Sequence, residues 1–517
     1  MKKIAKILSL LLSLAVILSC VGVGASAVGE NNLTIRVFDG IATVTGCIST
    51  ATGEIDIPSV YNGVAVSQIG NGAFNGCTRI TKINVPSSVK KIGNTAFYNC
   101  DKLEEITFEG NSCTFGTDVF YNCSSLKTVV LPQNTKQITQ KMFYGCSALE
   151  SLDIPAAVTK IGSEAFGKCS SLAAVVIPSA ITSIGKNAFI GCNSVASYTV
   201  ESGNTVYSST NGVLYGPNPS TGENALIQYP NGKSQTSYTV LPDTKTIADY
   251  AFGENTFLTK VVLPDGLEKI DNYAFYSTKL LSNITIPSTV TYLGSQSFGR
   301  CAALKNITIP ASVTDFESAF YMSAIESVVF EEGVTEISTK SFESCENLTS
   351  VTIPSSVKSI GIGAFYGCTA LEKLKIFSTV TTIERGAFEN CDNLTLWVDS
   401  GSAAHTYAIN NSINYKINGV DDKTVKSVSV LTPPTKTSYI YKEKLDTTGL
   451  KLFVTYSDGS TETVKSGYKV SHETMTKTGA QTITVTYEGC TAQFGVDVSY
   501  TWWQWIIMIL FLGIFWY

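Results

Sequence analysis

A phenylalanine recurs every 22 or 23 positions over most of this 517-residue chain. The recurring residues are Phe74, Phe97, Phe120, Phe143, Phe166, Phe189, Phe252, Phe275, Phe298, Phe320, Phe342, Phe365 and Phe388. A unit of that length is too short to bury an apolar face of its own, so its copies must stack on one another. The period therefore predicts a solenoid whose core runs along the stack and whose outer surface is free to bind.

Each unit repeats one apolar pattern around its Phe. A typical unit reads Ile-Gly-Asn-Thr-Ala-Phe-Tyr-Asn-Cys over residues 92–100 and continues with apolar residues at 103, 106 and 108. The alternation near residue 108 predicts a short strand of a parallel sheet, and a proline often ends it, as in Ile286-Pro287. Apolar residues three to four apart over 89–100 predict one or two helical or 3₁₀ turns that close the coil. The predicted fold class is a mainly β repeat solenoid.

The start of the chain has the pattern of a secretory signal peptide over residues 1–27. Three lysines precede an apolar run from Ile7 to Leu18, and the small residues Ala25-Ser26-Ala27 form a cleavage site. A lipoprotein signal ending at Cys20 is the weaker alternative, because Leu18 stands where that signal prefers a small residue. Residues 28–66 alternate polar and apolar side chains and predict a β-rich N-terminal cap.

The regular array is predicted over residues 67–415, with one irregularity. The step from Phe189 to Phe252 is almost three times the usual period, so it holds one regular unit and an extra segment. The extra segment, at about 198–237, predicts a β-hairpin excursion that is either a functional protrusion or a structural spacer. After Phe388, a short helix with Ser402 as its N-cap is predicted to close the array.

The C-terminal quarter has a different pattern. Residues 424–499 alternate as strands between hairpin turns and predict a small Ig-like β-sandwich. Residues 500–517 carry no charge and are rich in Trp, Ile and Phe. A helix over the 16 residues from Trp502 to Tyr517 would span only about 24 Å, less than the hydrocarbon core of about 30 Å. We expect membrane or envelope attachment through this tail, with a buried or partner-bound tail as the alternative.

Ten of the fourteen cysteines follow the repeat Phe by three residues. They are Cys77, Cys100, Cys123, Cys146, Cys169, Cys192, Cys301, Cys345, Cys368 and Cys391. Stacked coils would bring neighbouring cysteines within disulfide range. However, Asn255, Thr278 and Ser323 occupy the same slot, so the slot does not require a disulfide and a row of buried thiols is favoured. A metal site is not expected, because these thiols are a full repeat apart and His405 and His472 are the only histidines.

Composition and motifs exclude several classes of function. Charged residues make up 15% of the chain, the net charge is −5, and no basic cluster follows residue 6. A nucleic-acid partner is therefore not predicted. The chain also lacks the Gly-x-Ser-x-Gly, His-Glu-x-x-His and phosphate-loop motifs. We accordingly predict no catalytic residues, no metal, no cofactor and no oligomer.

Two surfaces of the predicted solenoid are candidates for binding. The outward strand residues are Asn84, Thr107, Val130, Asp153, Val176, Val262, Thr285, Thr308, Val329, Thr352 and Lys375. They suit a flat sheet but include no Trp, Tyr or Arg. A tyrosine stripe directly follows the repeat Phe at Tyr98, Tyr121, Tyr144, Tyr276, Tyr321 and Tyr366. The stripe could stack on sugar rings or anchor a protein, or it could only pack between coils.

The repeat unit resembles a known family. The pattern Ile-Pro-x-x-Val-x-x-Ile-Gly-x-x-Ala-Phe-x-x-Cys-x-x-Leu, seen from Ile353 to Leu371, closely resembles the BspA-like leucine-rich repeats of surface proteins, with a match over about residues 55–398. Residues 424–499 resemble a bacterial Ig-like domain. The resemblance implies a leucine-rich-repeat-like solenoid on a secreted or cell-surface protein that adheres to host proteins, other cells or glycans. It implies no catalytic motif and names no ligand.

The first functional hypothesis is accordingly a non-enzymatic extracellular binding or adhesion scaffold whose partner is a protein or a glycan. The alternative is a glycan-binding module that serves extracellular polysaccharide degradation. An enzyme is the third and weakest hypothesis.

Overall fold

The computed structural model describes residues 27–28, 32–418, 424–457 and 459–513. Except for Ala27, the predicted signal peptide lies outside these residues and remains a prediction. The chain divides into two compact units, residues 1–415 and 416–517.

The first unit is a parallel β-solenoid of about 16 turns, which extends over residues 42–417. The predicted fold class is therefore confirmed. A coil contributes a strand to a broad sheet and a shorter strand, ahead of the Phe turn, to a second sheet. The broad-sheet strands are Gly53–Asp56, Ile80–Val85, Glu105–Phe108, Thr128–Val129, Ala174–Ile177, Ser197–Val200, Ser237–Thr239, Lys260–Val262, Asn306–Ile309, Ser327–Phe330, Ser350–Thr352, Lys373–Lys375, Thr395–Val398 and Asn414–Ile417.

The second sheet is narrower, and most of its strands have two residues. Its strands are Val64–Ile69, Lys91–Ile92, Thr114–Phe115, Gln137–Ile138, Lys160–Ile161, Ser183–Ile184, Thr246–Ile247, Lys269–Ile270, Tyr292–Leu293, Glu336–Ile337, Ser359–Ile360 and Thr382–Ile383. In both sheets the register places equivalent residues of successive coils side by side, for example Ile83 beside Ile106 and Ile161 beside Ile184. Every second strand residue is thus aligned into one buried apolar row.

The Phe turn forms the third side of each coil. There the backbone amide of one coil donates to a carbonyl of the next, as from Phe97 N to Val119 O at 2.9 Å and from Phe275 N to Ser297 O at 2.7 Å. The Phe rings follow the same spacing, with centroids 4.9 Å apart at Phe252–Phe275 and nearly parallel planes. Because the rings are fully buried, this row of aromatic contacts is the axis of the core.

The segments predicted to be helical or 3₁₀ close each coil with single i→i+3 hydrogen bonds, such as Tyr98 N to Thr95 O. Left-handed residues flank the Phe on both sides. Thr95 has φ 54° and Asn99 has φ 55° around Phe97, and equivalent residues repeat this geometry along the chain. Two left-handed residues four positions apart prevent the turns from continuing into a helix.

The cysteine slot has a role that the sequence only partly indicates. All thirteen cysteines that the structure describes are free thiols, which confirms the predicted thiol row. From Cys100 onward, each repeat Sγ donates to the carbonyl oxygen of the Phe one coil earlier, as from Cys100 to Phe74 at 3.1 Å. Thr278 replaces the thiol with a hydroxyl and donates to Phe252 O at 2.9 Å. Where the slot holds Cys or Thr it therefore supplies a small buried hydrogen-bond donor, whereas Asn255 accepts from Phe257 N and Leu258 N through its Oδ1.

The extra segment of the sequence joins the core and does not project from it. The strands Ser208–Thr210, Val213–Pro217 and Asn224–Gln228 pair antiparallel with each other, and the last pairs parallel with Thr246–Ile247. Val213, Leu214, Ala225 and Leu226 are fully buried. The predicted excursion is thus built into the solenoid, which favours the spacer interpretation over the protrusion. We call this segment the insert.

Tyr229 explains where the repeat resumes. It lies one repeat before Phe252, donates its amide to Ala251 O at 2.8 Å and packs its ring 5.2 Å from that of Phe252. Tyr229 therefore occupies the slot of a repeat Phe. Three residues later, Gly232 N donates to Val195 O at 2.8 Å and joins this coil to the one before the insert.

Polar contacts fix the insert in place. Tyr207 Oη accepts a hydrogen bond from Ile184 N at 2.8 Å, and so occupies the edge where another strand would pair. Lys186 forms an ion pair with the largely buried Asp249 at 2.7 Å. Asn218 Nδ2 donates to Asp271 Oδ2 at 2.7 Å, and burial raises the pKa of that carboxyl.

The ends of the array are covered. At the N-terminus the strands Ala27–Val28, Leu33–Phe38 and Ile41–Cys47 extend the narrow sheet, and the short strand Val60–Tyr61 pairs beside it. At the C-terminus the helix Ala403–Asn410 begins after Ser402, whose hydroxyl accepts from His405 N at 3.1 Å. This confirms the predicted N-cap.

The second unit contains two small sheets, as predicted for an Ig-like sandwich. One consists of Val425–Thr432, Lys451–Tyr456 and Thr461–Val464, and the other of Ser438–Ile440, Lys469–Val470, Gly479–Tyr487 and Cys490–Ser499. Leu452, Val454, Met475, Ile483 and Val485 are fully buried at their centre.

The apolar tail forms the helix Trp502–Gly513. Its first turn contacts the second unit, where Gln504 Nε2 donates to Tyr441 O at 3.4 Å. Beyond that turn, Ile507 is 54% exposed and Ile509 and Leu510 are each 61% exposed. Within the described part of the chain, every helix is too short or too polar to cross a bilayer.

The Tyr229 hydroxyl is buried without a hydrogen-bond partner among the described residues. Replacing Tyr229 with Phe removes this unsatisfied group, so we expect an unchanged free energy of unfolding or a gain of about 1 kcal/mol. Tyr229→Ala should lower it by about 3–5 kcal/mol, because the aromatic contact and its volume are lost. Chemical denaturation of the full chain followed by circular dichroism measures both, and the exposed Tyr415→Phe is the control. A Tyr229→Phe variant as unstable as the alanine variant would contradict this assignment.

Candidate functional site

Three of the six predicted site tyrosines form a continuous stack. Tyr98 and Tyr121 have ring centroids 4.7 Å apart with planes at 5°, and Tyr121 and Tyr144 are 4.9 Å apart at 9°. All three are half-buried. Burial raises the pKa of Tyr121, and its two stacked neighbours raise it further. We call Tyr98, Tyr121 and Tyr144 the tyrosine stack.

The faces of these rings are largely occupied. Each inner face lies against the next ring, and the outer face of Tyr144 lies over Gly167, where a Cβ atom would fall 2.4 Å from Tyr144 Cδ2. Lys141 and Lys168 approach the same ring, with Nζ atoms 5.9 Å and 5.5 Å from its centroid. A sugar stacks on an exposed aromatic face, whereas these contacts cover five of the six ring faces. The geometry therefore favours packing between coils over a sugar-stacking platform.

The other three predicted tyrosines lie elsewhere. Tyr276 lies over Gly299 and makes edge contacts with Tyr250 and Tyr273, at 6.3 Å and 5.5 Å. Within the described residues, Tyr321 and Tyr366 make no contact with another aromatic ring. In the coils next to these three tyrosines, the residue that follows the repeat Phe is Gly or Glu, so the stripe is interrupted. The six residues therefore do not form one site.

The structure shows one aromatic pair that the sequence interpretation missed. Tyr250 and Tyr273 stack with centroids 4.7 Å apart and planes at 9°. Burial raises the pKa of Tyr250 to about 12. The signal was present in the sequence, because both residues precede a repeat Phe by two positions and are one repeat apart.

The broad sheet presents the other candidate surface. We call its outward residues the sheet-face row. They are Asn84, Thr107, Val130, Asp153, Val176, Val262, Thr285, Thr308, Val329, Thr352 and Lys375, as predicted. Asn84 and Thr107 are partly exposed, and the other nine are exposed. The strand register places Thr199 beside Val176 and Thr239 beside Val262, so both belong to the row. The sequence did not indicate them, because the insert interrupts the period there.

The sheet-face row consists mainly of Val and Thr, and Asp153 and Thr285 lie outside the described broad-sheet strands. Val130 is 73% exposed, Val176 is 49%, Val329 is 40% and Val262 is 39%. From Val262 to Thr352 the row contains only Val and Thr, which at about 4.8 Å per coil amounts to about 19 Å along the stack. Strand alternation forces these side chains outward, because their neighbours Ile307 and Val328 are buried in the core. An exposed β-branched row of this kind is a candidate contact surface.

Comparison with known proteins identifies both parts of the chain. Residues 67–196, 229–349 and 316–411 match the family described as "BspA type Leucine rich repeat region (6 copies)". Residues 432–498 match the "Bacterial Ig-like domain (group 3)".

Two solved structures and one further protein are similar to the chain. The pneumococcal vaccine antigen PcpA is 21% identical with a TM-score of 0.50, over 76% of this chain and 98% of that chain, which supports the fold alone. A leucine rich cell surface protein from Faecalibacterium prausnitzii is 26% identical with a TM-score of 0.49, over 74% of this chain and 96% of that chain. Pectate lyase L from Thermoclostridium stercorarium is 35% identical over 81 residues, so the chain spans about 6% of that relative's length.

The repeat pattern, the coil geometry and these matches agree. Because the family match covers more than half of the residues, the chain belongs to the BspA-type leucine-rich repeat family.

Proposed function

We propose that this protein is a non-enzymatic extracellular scaffold that binds a protein or a glycan through the sheet-face row. One observation carries the proposal, namely the regular row of exposed Val and Thr between Val262 and Thr352. An exposed apolar row lowers solubility unless a partner covers it, and soluble proteins rarely expose such rows without a function.

The shape of the row suits a broad partner. A flat parallel sheet offers contact area without a deep pocket, so affinity would come from many small contacts spread over several coils. Charged residues lie along the row, including Lys82 and Glu105 toward one end, Lys305 and Glu326 in the middle, and Lys373 and Lys375 toward the other end. They would set the position of a partner along the row, because polar residues at the rim of an interface contribute specificity.

The predicted signal peptide at residues 1–27 and the family membership support a location outside the cytoplasm. The Ig-like domain would then be a spacer between the solenoid and the tail. The exposed side chains of Ile507, Ile509 and Leu510 in the tail helix support attachment to a membrane surface, because an apolar surface exposed to water is stabilised by lipid.

A second candidate is a glycan-binding module accessory to extracellular polysaccharide degradation. The 81-residue similarity to a part of Pectate lyase L favours it. If the tyrosine stack is the site, binding would rely mainly on hydroxyls and ring edges, because most ring faces are covered.

A paired substitution tests the sheet-face row. Val262→Glu combined with Val329→Glu places two charges on the row without disturbing the core, since both side chains already point to solvent. We expect at least a tenfold loss of binding by the full chain on an array of purified extracellular matrix proteins and polysaccharides, as for other central interface residues.

The matched control is Met322→Glu combined with Ile362→Glu, which alters two exposed aliphatic residues near the Phe turns. It should bind as the unmodified chain does. Equal loss in both double variants would contradict the assignment to the sheet face. A third variant, with Tyr98, Tyr121 and Tyr144 changed to Phe, keeps the stack and removes its hydroxyls. Loss of glycan binding in this variant alone would favour the second candidate.

The tail generates a separate prediction. Ile507→Glu with Leu510→Glu places two negative charges on the exposed part of the helix and keeps its length. We expect the full chain to float with phosphatidylglycerol-containing vesicles in a density gradient, and the double variant to remain at the bottom, because charge opposes burial in the acyl region. Equal flotation of both chains, or none by the unmodified chain, would contradict attachment through this helix.

A further inference from the structure

Cys77, the first cysteine of the row, differs from the other repeat cysteines in its hydrogen bond. From Cys100 onward, the repeat thiols donate to a Phe carbonyl one coil earlier at 3.0–3.3 Å. Cys77 is in the first regular coil, and residue 51, one repeat before Phe74, is Ala. The Sγ of Cys77 instead lies 3.9 Å from the carbonyl oxygen of Cys47, which is a long and weak contact.

Cys47 is close to Cys77 and is also more accessible. It ends the cap strand Ile41–Cys47, and it is partly exposed, whereas the repeat cysteines are buried. Its own Sγ is 3.7 Å from the carbonyl of the next residue, so it too has only a weak acceptor. The two side chains also interact, since the neighbouring Cys47 lowers the pKa of Cys77, and Cys100 acts in the same direction on the pKa of Cys123.

We propose that Cys47 and Cys77 form a disulfide that joins the N-terminal cap to the first regular coil, while the repeat thiols from Cys100 onward stay reduced. The two residues are more than one repeat apart in sequence, so the bond would close a loop around the end of the stack, where a solenoid unravels first. The repeat thiols from Cys100 onward are buried and donate short hydrogen bonds, and both features hinder access by an oxidant.

The oxidation balances with a small-molecule disulfide such as oxidised glutathione. The Cys47 thiolate attacks one sulfur of the oxidant, which forms a mixed disulfide and releases one glutathione thiolate. The Cys77 thiolate then attacks the Cys47 sulfur and releases the second glutathione. The two protein thiols lose two protons and two electrons in total, and the oxidant becomes two thiols. The first step should be slow, because the neighbouring Cys77 raises the pKa of Cys47.

Peptide mapping of the full chain tests the proposal. The protein is equilibrated with oxidised glutathione, alkylated with N-ethylmaleimide without denaturant, and digested with trypsin. Both cysteines fall on one tryptic peptide, residues 37–79, because neither Lys nor Arg lies between Arg36 and Arg79. We expect this peptide to carry no maleimide, and its mass to be lower by two hydrogens than the mass of the reduced peptide. After further cleavage at Glu54, its two halves should separate only on reduction.

Internal controls make the outcome decisive. Cys490 is partly exposed in the other unit and should carry glutathione or maleimide in the same sample, so the thiols are counted on the Cys490→Ser variant. The thiol count in denaturant should fall by two relative to protein treated with dithiothreitol. In Cys77→Ser, Cys47 should retain a glutathione adduct, because the resolving thiol is gone. In Cys47→Ser, Cys77 should stay reduced and protected while the circular dichroism spectrum is unchanged.

Two outcomes would overturn the proposal. One is a peptide 37–79 that carries maleimide or glutathione on Cys47 after equilibration of the unmodified chain. The other is a disulfide that links Cys77 to Cys100, which would mean that the thiol row itself oxidises.

Discussion

Each coil of the solenoid depends on the next through the Phe turn. There a backbone amide crosses to the neighbouring coil, a buried ring packs on the equivalent ring, and a thiol or hydroxyl donates back to the Phe carbonyl. All three contacts join residues about one repeat apart, so none of them can form within a single unit. The stack is therefore cooperative between neighbours, and a coil without a neighbour would expose its aromatic row.

This dependence explains how much the sequence could predict. The Phe period predicts the stacking, and the strand alternation predicts the sheet-face row, because both are local patterns. The sequence pattern does not identify Tyr229 as a repeat position, because a tyrosine replaces the expected Phe. Its distance of one repeat from Phe252 is the signal that could have identified it. The place of the insert could not be predicted, since burial of Val213 and Leu226 depends on strand pairing with residues distant in sequence.

The candidate site shows the same limit. Equal spacing predicts that Tyr98, Tyr121 and Tyr144 meet, and they do. Spacing alone does not reveal that their ring faces cover one another, nor that Gly167 ends the stack. The cysteine slot is a further example. Thr278 and Ser323 in that slot indicate a hydrogen-bond donor, but the acceptor becomes visible only when the preceding coil is in place. We therefore propose that function lies in what the packing leaves outside, which is the sheet-face row and the apolar tail helix.

The central claim is that one continuous stack of coils runs through the insert, with binding left to the outer sheet. Amide hydrogen exchange of the full chain, read by mass spectrometry, tests this claim most directly. The account predicts that peptides covering residues 213–217 and 224–229 exchange as slowly as those covering Phe166 and Phe275, because their amides are part of the same sheets and turns. Rapid exchange of the two insert peptides between protected flanking coils would contradict it, since the insert would then be a surface loop.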